Sequence, residues 1–270
     1  MNIDTPRVLV TGASGYIGSR LVTHLADRGC AVTTLGRTAV DSPAENIVGS
    51  FANPDDLVQL RDHSFDVVVH LAGVTGEANE DDAFRVNVDG TRHFLRYLID
   101  HGTRRFVIAS SIAAAGCLTQ DFWPIAVPIP SDHPCESVNV YGVSKYFIEE
   151  MSRYFARSDA ALEFDLFRIG VVVADDDYKA ILDEVVLPFT QLGTVPVSKV
   201  LDQFTDAVVR PLRPGVRVAN LVDTAIPSPV PTIETLHRVL GERVNELDLA
   251  FYRRPENEFA ALWASDGERA

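Results

Sequence analysis

The sequence predicts an α/β fold, a doubly wound parallel sheet with a small C-terminal cap, and three observations carry that expectation. Short apolar runs, among them Val8-Leu9-Val10, Asp66–Ala72 and Arg105–Ala109, read as strands buried on both faces. Segments of helical period separate these runs at the interval of right-handed βαβ units. A glycine-rich turn joins the first run to the first helical segment. The 270 residues suit one large domain, or one domain with a small appendage, and an apolar content of 46% is enough for a real core.

The elements follow in order. A helix is expected over Tyr16–Arg28, with Ile17, Leu21 and Leu25 on one face and Gly29 as its stop. Strands follow at Ala31–Leu35 and, more weakly, at Asn46–Val48, and Pro54 opens a short helix reaching Asp62. The strand Asp66–Ala72 ends in Gly73, and a long helix over Asp82–His101 places Phe84, Val88, Thr91, Leu95 and Leu98 along one stripe. The buried strand Arg105–Ala109 leads into Ser110-Ser111. Between Cys117 and Asn139 lie Pro124, Pro128, Pro130 and Pro134 and no helical period, so this is a long loop of the kind that often carries function. A helix over Val140–Phe155 and a strand over Glu163–Val173 complete the regular pattern. Beyond Ala174 helices are expected at Tyr178–Leu192, Lys199–Leu212 and Thr232–Leu240, a strand at Arg217–Val222, and a small polar tail that frays from Asn257.

The net charge of −14 disfavours nucleic acid and anionic membranes as partners, while local cations still allow a phosphorylated small molecule. The cysteines Cys30, Cys117 and Cys135 are odd in number and lack metal spacing, which suits reduced structural thiols in a cytoplasmic protein. No metal site is expected, and Asp175-Asp176-Asp177 reads as a solvated loop. No apolar run reaches membrane-spanning length, and the opening MNIDTPR has no signal-peptide pattern.

The stretch RVLVTGASGYIG, Arg7 to Gly18, carries the first chemistry. Gly12 permits a tight turn, Gly15 lets backbone approach a pyrophosphate, and Gly18 lets the helix pack on the strand. Backbone N–H groups at the helix start then face phosphate oxygens. Further on, Tyr141 and Lys145 in YGVSK lie four apart on one helix face. A tyrosine near pKa 10 is a poor acid or base at neutral pH, and an adjacent ammonium that stabilises the phenolate lowers that value. Ser111 stands at the C-terminal end of a buried strand, the edge where ligands sit in open α/β sheets. At the end of the second strand, Gly36 leaves room and Arg37 supplies a cation suited to a ribose 2′-phosphate, with no acidic residue to repel it.

TGASGYIG, SSIAAAG and YGVSK together resemble the extended branch of the short-chain dehydrogenase/reductase superfamily, the epimerase/dehydratase-like enzymes. The resemblance runs from residue 7 to about residue 174. It implies a Rossmann-type sheet, with residues 1–174 binding NAD(P) and residues 175–270 forming a substrate cap interleaved with the same domain. It implies a Ser111-Tyr141-Lys145 triad, with Tyr141 as acid/base and Lys145 as ribose-binding activator. The cofactor set it implies is Gly12, Ser14, Gly15, Tyr16, Ile17, Gly18, Arg37, Phe51, Leu71, Ala72, Gly73, Asn87, Tyr141, Lys145 and Ile169. His70-Leu71-Ala72-Gly73 is similar to the family's HLAA element, with His70 itself read as a satisfied strand histidine. Asn87 in VNVDGT matches its helix asparagine, and Asp132-His133-Pro134 its approach to the tyrosine.

The sequence departs from the family pattern in places. Ala115 stands where SSxxxYG has its tyrosine, Ile112 and Ala113 replace the TDE of sugar-nucleotide 4,6-dehydratases, and Val172-Val173-Ala174 replaces a terminal YGP. Ser50 stands in place of an adenine-contacting Asp. The expectation is an NAD(P)-dependent oxidoreductase, NADP preferred and NAD the alternative, acting on a carbonyl or hydroxyl of a sugar-like small molecule, nucleotide sugars included. An NAD-dependent sugar epimerase is the first alternative and a non-catalytic cofactor-binding sensor the second. A homodimer is expected through the helices at Asp82–His101 and Val140–Phe155, whose Phe94, Tyr97, Phe147 and Tyr154 extend the apolar surface. Phe122 and Trp123 read equally as an apolar substrate wall or a dimer contact.

Overall fold

The computed structural model describes residues 5–75, 79–177 and 185–265. Its main sheet has seven parallel strands in the order β3-β2-β1-β4-β5-β6-β9, flanked by helices, as the sequence predicts. These strands are β1 (Arg7–Thr11), β2 (Ala31–Gly36), β3 (Glu45–Val48), β4 (Val67–His70), β5 (Arg105–Ser111), β6 (Glu163–Ile169) and β9 (Gly215–Leu221). Val8, Leu9 and Val10 of β1 are fully buried between β2 and β4, which is why that run is apolar without alternation. The order reverses direction at β1, and the turn after β1 carries the glycines.

Two compact units divide the chain. The first comprises Met1–Ala109, Ser144–Leu166 and Leu201–Arg217. Its helices include α1 (Tyr16–Asp27), α2 (Pro54–Leu57), α3 (Glu80–Asp82) and α4 (Thr91–Asp100). It also carries a buried ion network. Glu163 receives Arg105 Nε at 3.2 Å and Arg217 at 2.7 Å, and Asp165 pairs with Arg210 and Arg217. Arg105 also donates to the Val208 and Arg210 carbonyls, so the network ties β6 to the end of the helix over Val197–Val209.

The expected helix over Asp82–His101 contains a π-helical stretch, Ala83–Gly90, between α3 and α4. Gly90 packs so closely on Ala52 that a Cβ would meet the Ala52 Cβ at 2.6 Å. Wider turns of this kind are frequent at functional sites, and this one presents Asn87.

The second unit comprises Ser110–Val143, Phe167–Val200 and Val218–Ala270. The helix α5 (Val140–Ser158) starts in this unit and continues into the first. The unit's remaining elements are β7 (Val171–Val173), α6 (Pro188–Gln191), β8 (Thr194–Pro196), the start of α7 (Val197–Val209) and α8 (Thr232–Leu240). The single strand expected over Glu163–Val173 is instead broken at Gly170, which presses against the Gly193 carbonyl. Its second half pairs with β8 in a separate parallel sheet. Of the helix expected over Tyr178–Leu192, residues 178–184 lie outside the described residues. The described part is helical only from Pro188, whose fixed φ suits a first helical position and not an interior one.

The tail also departs from expectation. Residues 257–265 do not fray. Ala261, Leu262 and Trp263 are buried in a core with Phe122, Phe189, Leu236 and Tyr252. Trp263 Nε1 donates to the Phe189 carbonyl at 2.7 Å, and the Leu262 carbonyl accepts from Ile129 N–H at 2.7 Å. The Trp263 indole supplies the buried surface and the hydrogen bond that hold the tail, a signal that a polar, non-periodic stretch hides.

Among the described residues no helix is long and apolar enough to cross a membrane, and no group of three or more His, Cys, Asp or Glu gathers as metal ligands. Asp175 accepts from the Ser198 hydroxyl at 2.7 Å. Cys30, Cys117 and Cys135 are free thiols, and burial raises the first two, Cys117 to about 11.

Candidate active site

The glycine loop forms as its spacing predicts. Gly12 adopts φ +77°, and a Cβ there would meet the Ala72 backbone N at 2.7 Å, so this residue serves both the turn and the close approach of the loop after β4. Gly18 lies against the Gly12 carbonyl, which leaves no space for a side chain. Gly15 is exposed and stands at the start of α1, which no side chain caps. Its N–H closes the turn onto Gly12 at 3.0 Å, and the first amide donors of α1 follow it with the positive end of the helix dipole behind them. Ser14 and Tyr16 are exposed beside it, with Ile17 half-buried.

The loop after β4 is built on Asn87. Its amide accepts from Val74 N–H at 2.8 Å and donates to the Val74 carbonyl at 2.9 Å and to Ser144 Oγ at 3.0 Å. Asn87 therefore fastens Leu71, Ala72 and Gly73, which precede Val74, to the helix that carries Lys145. His70 is a satisfied strand histidine: Nδ1 pairs with Thr11 at 2.8 Å and Nε2 with Thr91 at 3.0 Å. Burial, helped by the Lys145 charge, takes its pKa down to about 3, so the ring is neutral.

Lys145 is 5% exposed and its ammonium donates to the Ala109 carbonyl at 2.8 Å. A Cβ on Gly73 would stand 3.8 Å from its Nζ, which places the ammonium beside the loop. Burial lowers the amine to about 8, and the Glu149 carboxylate opposes that shift.

In the second unit, Tyr141 and Ser111 share a side-chain hydrogen bond. Ser111 also accepts from Ala113 N–H at 3.2 Å, at the start of a 3-10 turn over Ile112–Ala115. The Asn139 side chain caps α5 by accepting from Tyr141 N–H at 2.9 Å. Gly142 lies so close to the Ala113 carbonyl that no side chain fits between them. Asn139 and Gly142 thus set where Tyr141 stands. His133 accepts from Ile125 N–H at 3.3 Å and donates to the Pro134 carbonyl at 2.8 Å, and Arg168 donates to its carbonyl.

Burial pushes the Tyr141 phenol above its ordinary value, and the Ser111 hydrogen bond pulls the other way. The sequence expectation of a lowered phenol is not met, because burial outweighs the Ser111 hydrogen bond. Other expected positions stand apart. Arg37 is exposed just past β2 and makes no hydrogen bond or ion pair among the described residues. Phe51 turns its ring inward onto His70 and Phe94, at 4.8 and 6.0 Å between centroids, which leaves only its backbone to meet a ligand. Ile169 is buried at the end of β6. Phe94 is fully buried and so is not part of a surface; Phe147 and Tyr154 are exposed.

Phe122 is buried and Trp123 half-buried. Together with Phe189, Val239 and Arg243 they line a cavity of about 230 Å³, with the Arg243 guanidinium 4.2 Å from the Trp123 ring centre.

Residues 8–188 match the model of the NAD dependent epimerase/dehydratase family. The chain belongs to this family. Among its relatives, mouse UDP-glucose 4-epimerase is 31% identical over 192 residues, which cover 60% of this chain and 52% of the relative. The UDP-glucose 4-epimerase of Azospirillum brasilense is 33% identical over 160 residues, 55% of this chain and 44% of the relative. The chain spans about half the length of the curated relatives it matches. In fold it is similar to uronate dehydrogenase from Agrobacterium tumefaciens, with TM-score 0.66, 22% identity and coverage of 81% and 77% of the two chains. It is also similar to a UDP-glucose 4-epimerase from Stenotrophomonas maltophila solved with NAD, with TM-score 0.65, 18% identity and coverage of 80% and 78%. The family match ends near Pro188, so the buried C-terminal tail lies beyond it.

Proposed function

We propose that this chain is an NAD(P)-dependent oxidoreductase that interconverts a hydroxyl and a carbonyl on a sugar-like small molecule, nucleotide sugars included. The observation that carries the reading is the Tyr141–Ser111 hydrogen bond on the helix that also holds a buried, protonated Lys145. The uncapped start of α1, with Gly15 open above it, fits a pyrophosphate, and Ser14, Gly15, Tyr16 and Ile17 would hold it. Gly73 and Lys145 would meet the nicotinamide ribose. The nicotinamide supplies hydride exchange when bound. Tyr141 gives a proton to the oxygen that gains negative charge, or takes it in the reverse direction, and Ser111 donates a hydrogen bond to the same oxygen. Lys145, four residues along the same helix, would supply the positive charge that favours a phenolate.

Arg37 supports NADP over NAD, since its unengaged guanidinium suits a 2′-phosphate. The NAD in solved relatives favours the other nucleotide. A second reading, sugar epimerisation with NAD retained, is favoured by the UDP-glucose 4-epimerases among the relatives. Against dehydration stand Ile112 and Ala113, which have no acid or base to offer.

The deciding experiment follows reduced-nicotinamide absorbance across uronates, simple ketones and sugar nucleotides. Stoichiometric consumption or production is expected, and a substrate turned into its epimer without net cofactor change would replace this reading with the epimerase. A two-fold dimer through the surface around Phe147 and Tyr154, 43% and 54% exposed, is part of the proposal. Light scattering should give twice the chain mass, and a monomer at micromolar concentration would refute it.

A further inference from the structure

One hollow in the second unit has no part in the chemistry above. From the sequence, Phe122 and Trp123 read equally as a ligand wall or as a contact between copies. In the fold Phe122 is 5% exposed and Trp123 half-buried, so neither ring stands out from the surface. Both meet Phe189 edge to face, at 5.7 Å between centroids and interplanar angles of 78° and 89°. The Phe189 backbone is fixed in turn, its carbonyl accepting from Trp263 Nε1 at 2.7 Å. With Leu187 and Leu240 the three rings line a cavity of about 230 Å³, and every lining residue belongs to this one unit. An apolar hollow of about 150 Å³ is enough for benzene, so this one has room for two fused rings and a short polar group. A whole nucleotide sugar is too large to be held by it alone.

A single charge stands on this apolar lining. Arg243, in the 3-10 turn after α8, is the only charged residue among those that line the cavity. Its guanidinium carbon lies 4.2 Å from the Trp123 ring centre, and a stacked guanidinium keeps its N–H groups pointing outward in its own plane. Among the described residues none accepts a hydrogen bond from it. Glu246 stands 3.9 Å from its Nε, beyond hydrogen-bond reach. The Cys117 thiol also lines the cavity, and burial raises it to about 11, so it is neutral. A fixed cation beside aromatic walls favours a flat apolar molecule whose anionic group can take two N–H donors at once. We propose that this cavity binds a small aromatic carboxylate, its rings among Phe122, Trp123 and Phe189 and its carboxylate on Arg243. Leu240 and Arg243 lie beyond residue 188, where the family match ends. The proposal is independent of the triad.

The chain has two tryptophans, Trp123 and Trp263, which makes the test direct. Labelling with 5-fluorotryptophan gives two 19F signals, assigned by Trp123→Phe. The probe is 2-naphthoate, added to the free protein up to about 10 mM, since a ligand of this size should bind with a Kd of about 1 mM or tighter. It should shift the Trp123 signal to saturation and move the buried Trp263 less. The neutral isostere 2-naphthamide should bind about tenfold more weakly, and Arg243→Met, which keeps an unbranched stem without the charge, should erase that preference. Equal binding of the two probes to the native protein overturns the proposal, and this comparison stands whether or not Arg243→Met folds. A preference that survives in folded Arg243→Met overturns it too. So does a Trp123 signal unmoved at about 10 mM, or one that moves with protein concentration and not with probe, the mark of a contact between copies. Uridine monophosphate should not displace naphthoate; displacement would assign the cavity to a nucleotide and overturn the aromatic-acid reading. None of these measurements uses cofactor or turnover, so a failure of the proposed reaction would show separately, as unchanged turnover in Tyr141→Phe.

Discussion

Replacing Lys145 by Met should change how the stability of the protein depends on pH, and the direction follows from burial. The amine titrates at about 8 in the folded chain against an ordinary 10.5. Between those values the unfolded chain binds a proton that the folded chain has released. Stability therefore rises with pH across this window and is lowest below it, where the folded state must hold the charge. The full difference is about 3 kcal/mol, at 1.36 kcal/mol per pH unit, with about 2 kcal/mol of it between pH 8 and pH 10. Lys145→Met removes the titration while keeping an unbranched chain of similar length. It also loses the 2.8 Å bond to Ala109, which sets a constant offset and no slope in this window. Urea unfolding of both proteins at pH 8, 9 and 10 is the assay, and other titrations cancel in the comparison. The native protein should gain about 2 kcal/mol on the variant from pH 8 to pH 10. A gap that stays flat, or one that closes in the opposite direction, would refute the burial argument.

Two predictions address the proposed reaction. Tyr141→Phe keeps the ring and removes the phenol proton that the proposed step transfers, so turnover should fall by about 10²-fold or more with cofactor binding little changed; normal steady-state kinetics would remove Tyr141 from the mechanism. Arg37→Ala should weaken NADPH by about 1.5–3 kcal/mol, the worth of a charged hydrogen bond, and leave NADH alone. Fluorescence titration with both nucleotides measures this, and equal losses would assign Arg37 to the loop and not to the phosphate.

The sequence discloses most where one residue type is forced by backbone. Gly12 and Gly18 each stand where a Cβ would strike another chain segment, and that necessity is what the three-residue spacing expresses. The sheet was legible for a related reason: strands such as Val8–Val10, covered on both sides, have no solvent face to alternate toward. The candidate site was legible in identity and less so in energetics. Tyr141 and Lys145 stand one turn apart as read, but spacing does not say that burial dominates the phenol or that the ammonium is drawn to Ala109.

The partners of the residues that place the site were silent, because they lie far along the chain. Asn87 reaches Ser144, and Gly142 rests on Ala113. Asn139 is the exception, a local signal: an amide just ahead of a helical period, at the start of α5 that the sequence places at Val140.

The C-terminal part hid for the opposite reason. Its core is assembled from single large side chains, Phe122, Phe189, Tyr252 and Trp263, each surrounded by turns and short helices with little period of their own. A strand that stops at one glycine to pair elsewhere, as β6 does at Gly170, leaves no trace in apolar patterning because both halves are apolar. Such a region specifies its structure through a few dense contacts and not through repetition.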